Sequence, residues 1–556
     1  MSIHRDLLQS NSRAILFVGF IIMLSSMSVN GQPSYTPPAG IPAPEFGIDE
    51  VAPTWPAGWP SQETANFYYI DNTHIDATDS SNTYGTPNRP RATIPEIVYA
   101  EGAYVEIHGG PYSGGGQIIF TGNGTEENPV WIRGESTAIR GNISAEMIVK
   151  GSYIIIENLV FSNDYAVIGI RPHNGAHAHH VSVRNNEMYG SATDVGFRSA
   201  IGISGPVENR NHNIVVYNNL IYDRGDYRPS SAGENDYHGV APSRNVDRVW
   251  ILNNEIYHMG GDSVQVGVAN IPDNERPDSI YIAGNNFHEN FENALDIKES
   301  NNIFAVDNDF HNFRDAAVVI HNYPDSVWII NNRVHNAYYG IASSGGTNVW
   351  YIGNSIWNIH TRNIDNWEAN SGYSDGAAIH FRASDGGAVN NTMYNYDTGI
   401  QLTTSGPYVL SNNLFSTRSQ AAGFDIRVAN SSVSSITNIE NSIFDEDSNI
   451  NWGDGNAITL GELKLLHEAA DGSYIQPNAL NSPSTGDFTH AIDSKALNGG
   501  NINAVYERFY QTYGLRIDED INGNPRVSGQ TIDIGSIEEV IAPNPPSSVY
   551  ISVKAN

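Results

Sequence analysis

Val327-Trp328-Ile329-Ile330, with Asn332-Arg333-Val334 close behind, decides how this chain is read. Four strand-forming residues are followed by an asparagine, any residue and an apolar residue. The same order recurs at Val249-Trp250-Ile251-Leu252 with Asn254-Glu255-Ile256. The asparagine returns at Asn158, Asn186, Asn219, Asn285, Asn308, Asn354, Asn391, Asn412 and Asn441. From Asn308 to Asn332 to Asn354 the spacing is 24 and then 22 residues, and longer gaps read as the same unit carrying an insertion. A second alternating strand follows each asparagine, as in Leu295-Asp296-Ile297 or Ile379-His380-Phe381. Two or three short strands per repeat, without helical periodicity, describe one coil of a single-stranded parallel β-helix, an all-β solenoid. A sandwich would not return one asparagine to one place, and propeller blades need longer repeats. Asparagine tolerates a left-handed bend at a corner, and stacked copies can hydrogen-bond as a ladder.

Working outward, residues 63–480 are assigned to the coil and 481–540 to a C-terminal closing segment. Ile94 to Ala100 is expected to form a short helix capping the open core. Residues 1–31 have the layout of a signal peptide: Arg5 and Arg13, an apolar run from Ala14 to Leu24, then small residues. That places the protein outside the cell or in the periplasm. Residues 32–62 and 541–556 are rich in Pro and read as a linker and a tail.

The 556 residues contain no cysteine, which excludes a disulfide scaffold, thiol catalysis and cysteine-held metal. Lys+Arg number 29 against 61 Asp+Glu, a net charge of −32, which argues against nucleic acid and anionic membranes as partners. A monomer is expected.

Alternation along the second strand sets its face. Ile168, Ile201, Val240, Val264, Leu295, Val318, Ile341, Ile379 and Ile400 point inward. Outward on neighbouring coils stand His238, Asp262, Gln265, Asp296, Lys298 and His321, with Arg171 toward one end and His380 and Arg382 toward the other. Insertions at 223–237, 270–279 and 360–375 border this strand and would wall a groove suited to a polymer. The chain has five lysines, and Lys298 stands alone between Gly151 and Leu463. An ordinary surface lysine paired with Asp296 or Glu299 is the plainer account.

In the groove it suits β-elimination on a uronate polymer, where a base takes the C5 proton, the carboxylate is neutralised and the bond at C4 breaks. Lysine serves as base if burial or nearby cations lower its pKa. Neutralisation can come from Ca²⁺ on Asp236, Asp262, Glu292, Asp296 and Glu299, or from Arg and His. Gln265, His238, Arg382, His380 and Arg171 would contact the sugar chain. A bound metal also reconciles an acidic protein with an acidic polymer.

Asn293-Ala294-Leu295-Asp296-Ile297-Lys298-Glu299-Ser300-Asn301-Asn302, then Asn308-Asp309-Phe310, resembles the catalytic stretch of polysaccharide lyase family six, the alginate lyases and chondroitinase B. It is similar also to the lysine-based pectate lyases of family nine. The resemblance implies a right-handed β-helix, Ca²⁺ and Lys298 as base. Where family six places an arginine, this chain has His321, which would donate a proton to the leaving oxygen. Phe67-Tyr68-Tyr69-Ile70-Asp71 and Asp520-Ile521-Asn522-Gly523 resemble the opening and closing segments of such proteins. The latter opens like an EF-hand loop but lacks its last acid and reads as a structural turn.

Two other readings stay open. One is a glycoside hydrolase using paired carboxylates among Asp236, Asp262 and Asp296. The other is a non-catalytic carbohydrate-binding protein or adhesin gripping sugars with Trp367 and Tyr373. His177, His179 and His180 read as lining a loop.

Overall fold

The computed structural model describes residues 35–540, except 173–176, 192–197, 229–235, 361–375, 383, 405, 446, 454, 467–469, 471 and 528–530. The signal-peptide reading, the tail, Trp367 and Tyr373 fall outside the described residues.

Strands from Phe67 to Ile475 join one 39-stranded sheet whose inter-coil pairings are parallel. Three strands make a coil. On one coil they are Val249–Leu252 within Val246–Leu252, Glu255–Met259 and Val264–Val266; on the next, Asp278–Ala283, Asn286–His288 and Leu295–Ile297. The fold is a right-handed parallel β-helix, the hand that parallel crossovers take. The nine inward residues named from alternation are all fully buried. Each contributes about 1.5–3 kcal/mol of hydrophobic burial, and together they form a continuous apolar column.

The asparagines divide into two neighbouring columns. Asn186, Asn219, Asn254, Asn285, Asn308, Asn332, Asn354 and Asn391 form the ladder, each Nδ2 donating to Oδ1 of the next, the last to Asn413, whose backbone N goes on to Ser442 Oγ. The residue before each bears the left-handed bend: Asn185, Asn218, Asn253, Asp307, Asn331 and Asn390 have φ between 54 and 56°. Gly284 and Gly353 take the same role with φ of 65 and 69°. Asn158, Asn412 and Asn441 belong to this bend column, with φ of 57, 56 and 47°. One repeated asparagine was expected to bend and to ladder; the chain gives the two tasks to adjacent residues. The bend strains φ while the ladder needs an inward amide, and one side chain cannot meet both needs.

Three expectations change. Ile94 to Ala100 holds no helix; Val98–Tyr99 is a strand paired with Thr121 and Gly122. Pro95 disfavours helix at Ile94, and the β-branched and aromatic residues after it suit a strand. The described part of the 32–62 stretch is not a free linker but a strap along the flank. Ser182 Oγ donates to Gly47 O, Arg184 to Ile48 O and Glu50 O, and Trp250 Nε1 to Pro42 O. Trp59 is fully buried against Tyr69 and Tyr104.

Residues 481–540 likewise run back along the side of the coil. Phe488 packs on Trp357, Ser536 pairs with Ser355, and Arg526 donates to Asn331. Three α-helices occur among the described residues: α1 (Ser431–Ser434), α2 (Leu460–Leu466) and α3 (Ala504–Tyr513). Leu460 and Leu463 of α2 join the interior and close its C-terminal end, whereas α3 lays Phe509 against Trp328 on the outside. The EF-hand-like stretch is a turn: Asp520 Oδ1 accepts from Asn522 N and Asn524 N. No helix among the described residues is long and apolar enough to cross a membrane.

Candidate active site

Strands Tyr237–Arg244, Val264–Val266, Leu295–Ile297 and Asp309–Ile320 lie side by side on consecutive coils. Val240 pairs with Val264, Gln265 with Asp296, and Asp296 with Val319. Coils rise by about 4.8 Å, so outward side chains on adjacent coils are in reach of one another.

The centre is a chain of three titratable groups. Lys298 Nζ lies 2.9 Å from Asp296 Oδ2, and His321 Nε2 lies 2.7 Å from Asp296 Oδ1. Asp296 is buried while Lys298 and His321 keep partial exposure. Burial pushes the Asp296 carboxyl up, but the hydrogen bond and charge of His321 and the Lys298 ammonium outweigh it and hold it below the usual range. Burial pulls Lys298 down, yet Asp296, then Asp262 and Asp236, outweigh that and raise it. The lowered lysine pKa expected from the sequence is therefore reversed. The groups around it are acids rather than cations, and the ion pair with Asp296 is the plainer role that the sequence also allowed.

A second cluster adjoins it. His238 Nδ1 is 3.2 Å from Asp262 Oδ2 and equally 3.2 Å from the Asp262 amide N. His238 Nε2 is 3.1 Å from Gln265 Nε2, and Asn293 donates to Asp262 Oδ1 from both its backbone N and Nδ2, at 3.1 and 3.0 Å. Asp262 is fully buried, and its Oδ2 has no hydrogen-bond partner among the described residues; neither has Asn293 Oδ1.

The five acids expected to bind a metal do not act alike. Asp296 is committed to Lys298 and His321, and Glu299 Oε2 accepts from Ile271 N at 2.7 Å. Three acidic or imidazole ligand atoms within 4.8 Å of one another occur, among the described residues, at Glu106, His108 and Glu135, far along the chain. There Glu106 is already met by Trp55, Tyr104 and His108. Around Lys298 the oxygens that suit a hard cation are Asn293 Oδ1, which has no hydrogen-bond partner among the described residues, and Asp262 Oδ2, which faces His238 Nδ1 at 3.2 Å. Asn293 stood in the aligned column but carried no metal reading, because a neutral amide gives no charge signal.

Arg314 and Asp315 were also missed. They sit at an irregularity between Phe313 and Ala316, where alternation fails. Arg314 stacks on Phe291, 3.9 Å from the ring centre, and burial pushes Asp315 up to about 6.

Other expected contacts lie farther off. His380 is three coils from Asp296, buried, with Nε2 2.6 Å from Thr403 Oγ1. Arg382 pairs with Thr404, not Thr403, because the register slips after Phe381; a similar slip sets Ser204 against Arg244. Arg171 is four coils away on the other side and pairs with Glu146. His179 stacks on His212 with ring centres 5.2 Å apart, and His179 Nδ1 lies 2.8 Å from His180 Nδ1.

No family model matches the chain, and no curated protein matches it. Solved polysaccharide lyases are among the structures it resembles. A mannuronic acid specific polysaccharide family 6 lyase from human gut microbiota shares 14% identity, over 70% of this chain and 88% of that one, with a TM-score of 0.35. The pectate lyase Pel9A shares 12%, over 86% and 98%, with a TM-score of 0.33. The GH136 lacto-N-biosidase from Eubacterium ramulus shares 11%, over 74% and 68%, with a TM-score of 0.36. At such identities and scores the likeness is one of coiled fold and does not choose between lyase and hydrolase.

Proposed function

We propose that this protein is a secreted or periplasmic polysaccharide lyase that cleaves an acidic, uronate-containing polymer by β-elimination. The observation that carries the reading is the contiguous Lys298–Asp296–His321 chain, whose Lys298 and His321 ends keep partial exposure. In the resting form Lys298 holds its proton, since Asp296 raises it. Moving one proton to His321 through Asp296 leaves a neutral amine beside a charged imidazole. The amine then takes the C5 proton, the electron pair forms the C4–C5 double bond, and the C4–O bond breaks. His321 gives its proton to the departing oxygen, which returns both groups to their resting state. Gln265 from the next coil and His238 from the one beyond it orient the sugar.

Calcium remains part of this proposal, held by Asp262 and Asn293. When bound it would supply positive charge to the substrate carboxylate.

The test is incubation with alginate, pectate, chondroitin, dermatan and hyaluronan, with and without a chelator, while ultraviolet absorbance of an unsaturated uronate is followed. New reducing ends without absorbance would replace this reading with the hydrolase. One observation bears on that second reading: burial, and less strongly the charge of Asp262, push Asp315 up to about 6, so two carboxyls act on each other here.

A further inference from the structure

Three coils from Asp296, the outward column changes character. Asp296 follows Gln265, then Ala241, then Gly202 and Gly169, each register-paired with the next or one residue from a paired position. Over the two glycines lies a cleft of about 840 Å³. It begins about 14 Å and ends about 19 Å from the reacting cluster, at a rise of about 4.8 Å per coil.

The glycines are not there for the backbone. Neither has a positive φ, so no turn requires them. A Cβ added at Gly202 would meet no atom within 4 Å among the described residues. One added at Gly169 would approach only the mobile end of the Arg171 side chain, at 3.1 Å. A strand loses stability by carrying glycine where a side chain would fit. What the two glycines create is bare floor, the surface that lets a ligand approach the main chain closely.

The polar side chains that line this cleft include Arg171, Arg198, Glu96, Glu146 and Gln117. The Arg171 side chain is 43% exposed and is steered by Glu146, which Gln117 Nε2 also contacts at 2.8 Å. Across the cleft the Arg198 guanidinium lies 4.2 Å from the centre of the Tyr165 ring, and Tyr165 is largely exposed. Two guanidinium groups, one oriented by a carboxylate and one by an aromatic face, suit a planar carboxylate. The ring offers an apolar face to a sugar.

We propose that this cleft is a distal subsite that binds a uronate unit of the same polymer, three to four sugar units from the bond that is cut. The inference rests on the uronate reading of the Lys298 site. A pyranose unit is about as long as one coil rise, so a chain lying along the axis meets one coil per sugar. The Arg171 and Arg198 pair takes the carboxylate, and the glycine floor admits the ring. The enzyme would then prefer chains long enough to span both places.

Gly202→Leu fills the floor without disturbing the fold, since its Cβ has open space, and Arg171→Gln removes one charge. Both are made in the full chain, with active Lys298 and again with Lys298→Ala. Dimers, tetramers and hexamers of galacturonate, mannuronate and guluronate are the probes. Binding is followed calorimetrically on the Lys298→Ala chain, and kcat/KM on the active one. Hexamers are expected to bind the parent about ten- to hundredfold more tightly than dimers. Either variant should bring that ratio close to one. Length-dependent binding that Gly202→Leu abolishes, but with no unsaturated product, supports the subsite and overturns the lyase. Unsaturated product with the same hexamer-to-dimer ratio in parent and Gly202→Leu overturns the subsite and leaves the lyase standing. Failure of every uronate oligomer to bind overturns the subsite.

Discussion

Asn308→Ala tests whether the ladder, or only the apolar column beside it, holds the coils in register. The Asn308 amide donates to Ile282 O and to Asn332 Oδ1, both at 2.9 Å. It accepts from Asn285 N at 3.0 Å and from Asn285 Nδ2 at 2.9 Å. Asn285 Nδ2 keeps a second bond, to Ile251 O, so the alanine variant strands chiefly the Asn285 backbone N–H and one acceptor. Both are sealed from water, as Asn285 and Asn308 are 2% and 1% exposed. At about 1–3 kcal/mol for each stranded group, the loss should be about 2–6 kcal/mol. Asn286→Ala is the control: it is half-buried, and its side chain takes one bond, from His311 Nε2 at 3.1 Å. It should cost about 0.5 kcal/mol. Guanidinium unfolding followed by tryptophan fluorescence gives both values. Asn308→Ser should recover part of the loss, because the ladder continues through hydroxyls at Ser442 and Ser473. If Asn308→Ala costs no more than the control, the ladder is decoration and the argument from it is wrong.

Lys298→Ala should lower elimination about 10²- to 10⁴-fold, the usual worth of a general base; retained activity removes Lys298 from that role. Because the relay starts from a protonated Lys298 that Asp296 raises, elimination should fall as pH rises past the Lys298 pKa, and Asp296→Asn should carry that alkaline limb of the kcat/KM profile to lower pH; an unmoved limb contradicts the ion-pair argument. Burial pushes Asp307 up to about 7, above its unfolded value, so its contribution is present at low pH and is lost as pH rises through about 7. Asp307→Asn tolerates the same φ of 54° and should raise the melting temperature above neutrality while changing it little near pH 4. Burial lowers His311 to about 4, so stability should drain away as pH falls from about 6.5 toward 4, and His311→Phe should flatten that part of the curve in thermal melts.

The coil was legible because its signal is periodic. Each inward position in the second strand could be named from alternation, and Ile168 through Ile400 are where it puts them. The same column brought Asp296, Lys298 and His321 to adjacent coils. Which oxygen meets which nitrogen depends on rotamers and on burial, and that is why the direction of the Lys298 shift was missed. Alternation also breaks wherever the strand slips by a residue, which hid Arg314 and Asp315 and misplaced Arg382 by one partner. The strap and the returning C-terminal stretch carry no repeat at all. Their binding is written in single contacts such as Trp250 with Pro42 O, which no pattern announces.

The strap has a consequence for how the molecule is assembled. In a bare solenoid each layer needs only its neighbours, so layers can set one after another as the chain lengthens. Here a side-chain carbon at Gly40 would stand 3.6 Å from Ile330 and 3.9 Å from Ile517 and Phe509, so its main chain lies beside groups made much later. The strap from Pro42 to Glu50 can dock once Ser182, Arg184 and Trp250 are laid down, but the Gly40 end closes only when Phe509 and Ile517 have arrived. Once that knot of contacts closes, early and late layers are buckled together. Loosening either end then means opening the buckle, so fraying from the termini gives way to release as a whole.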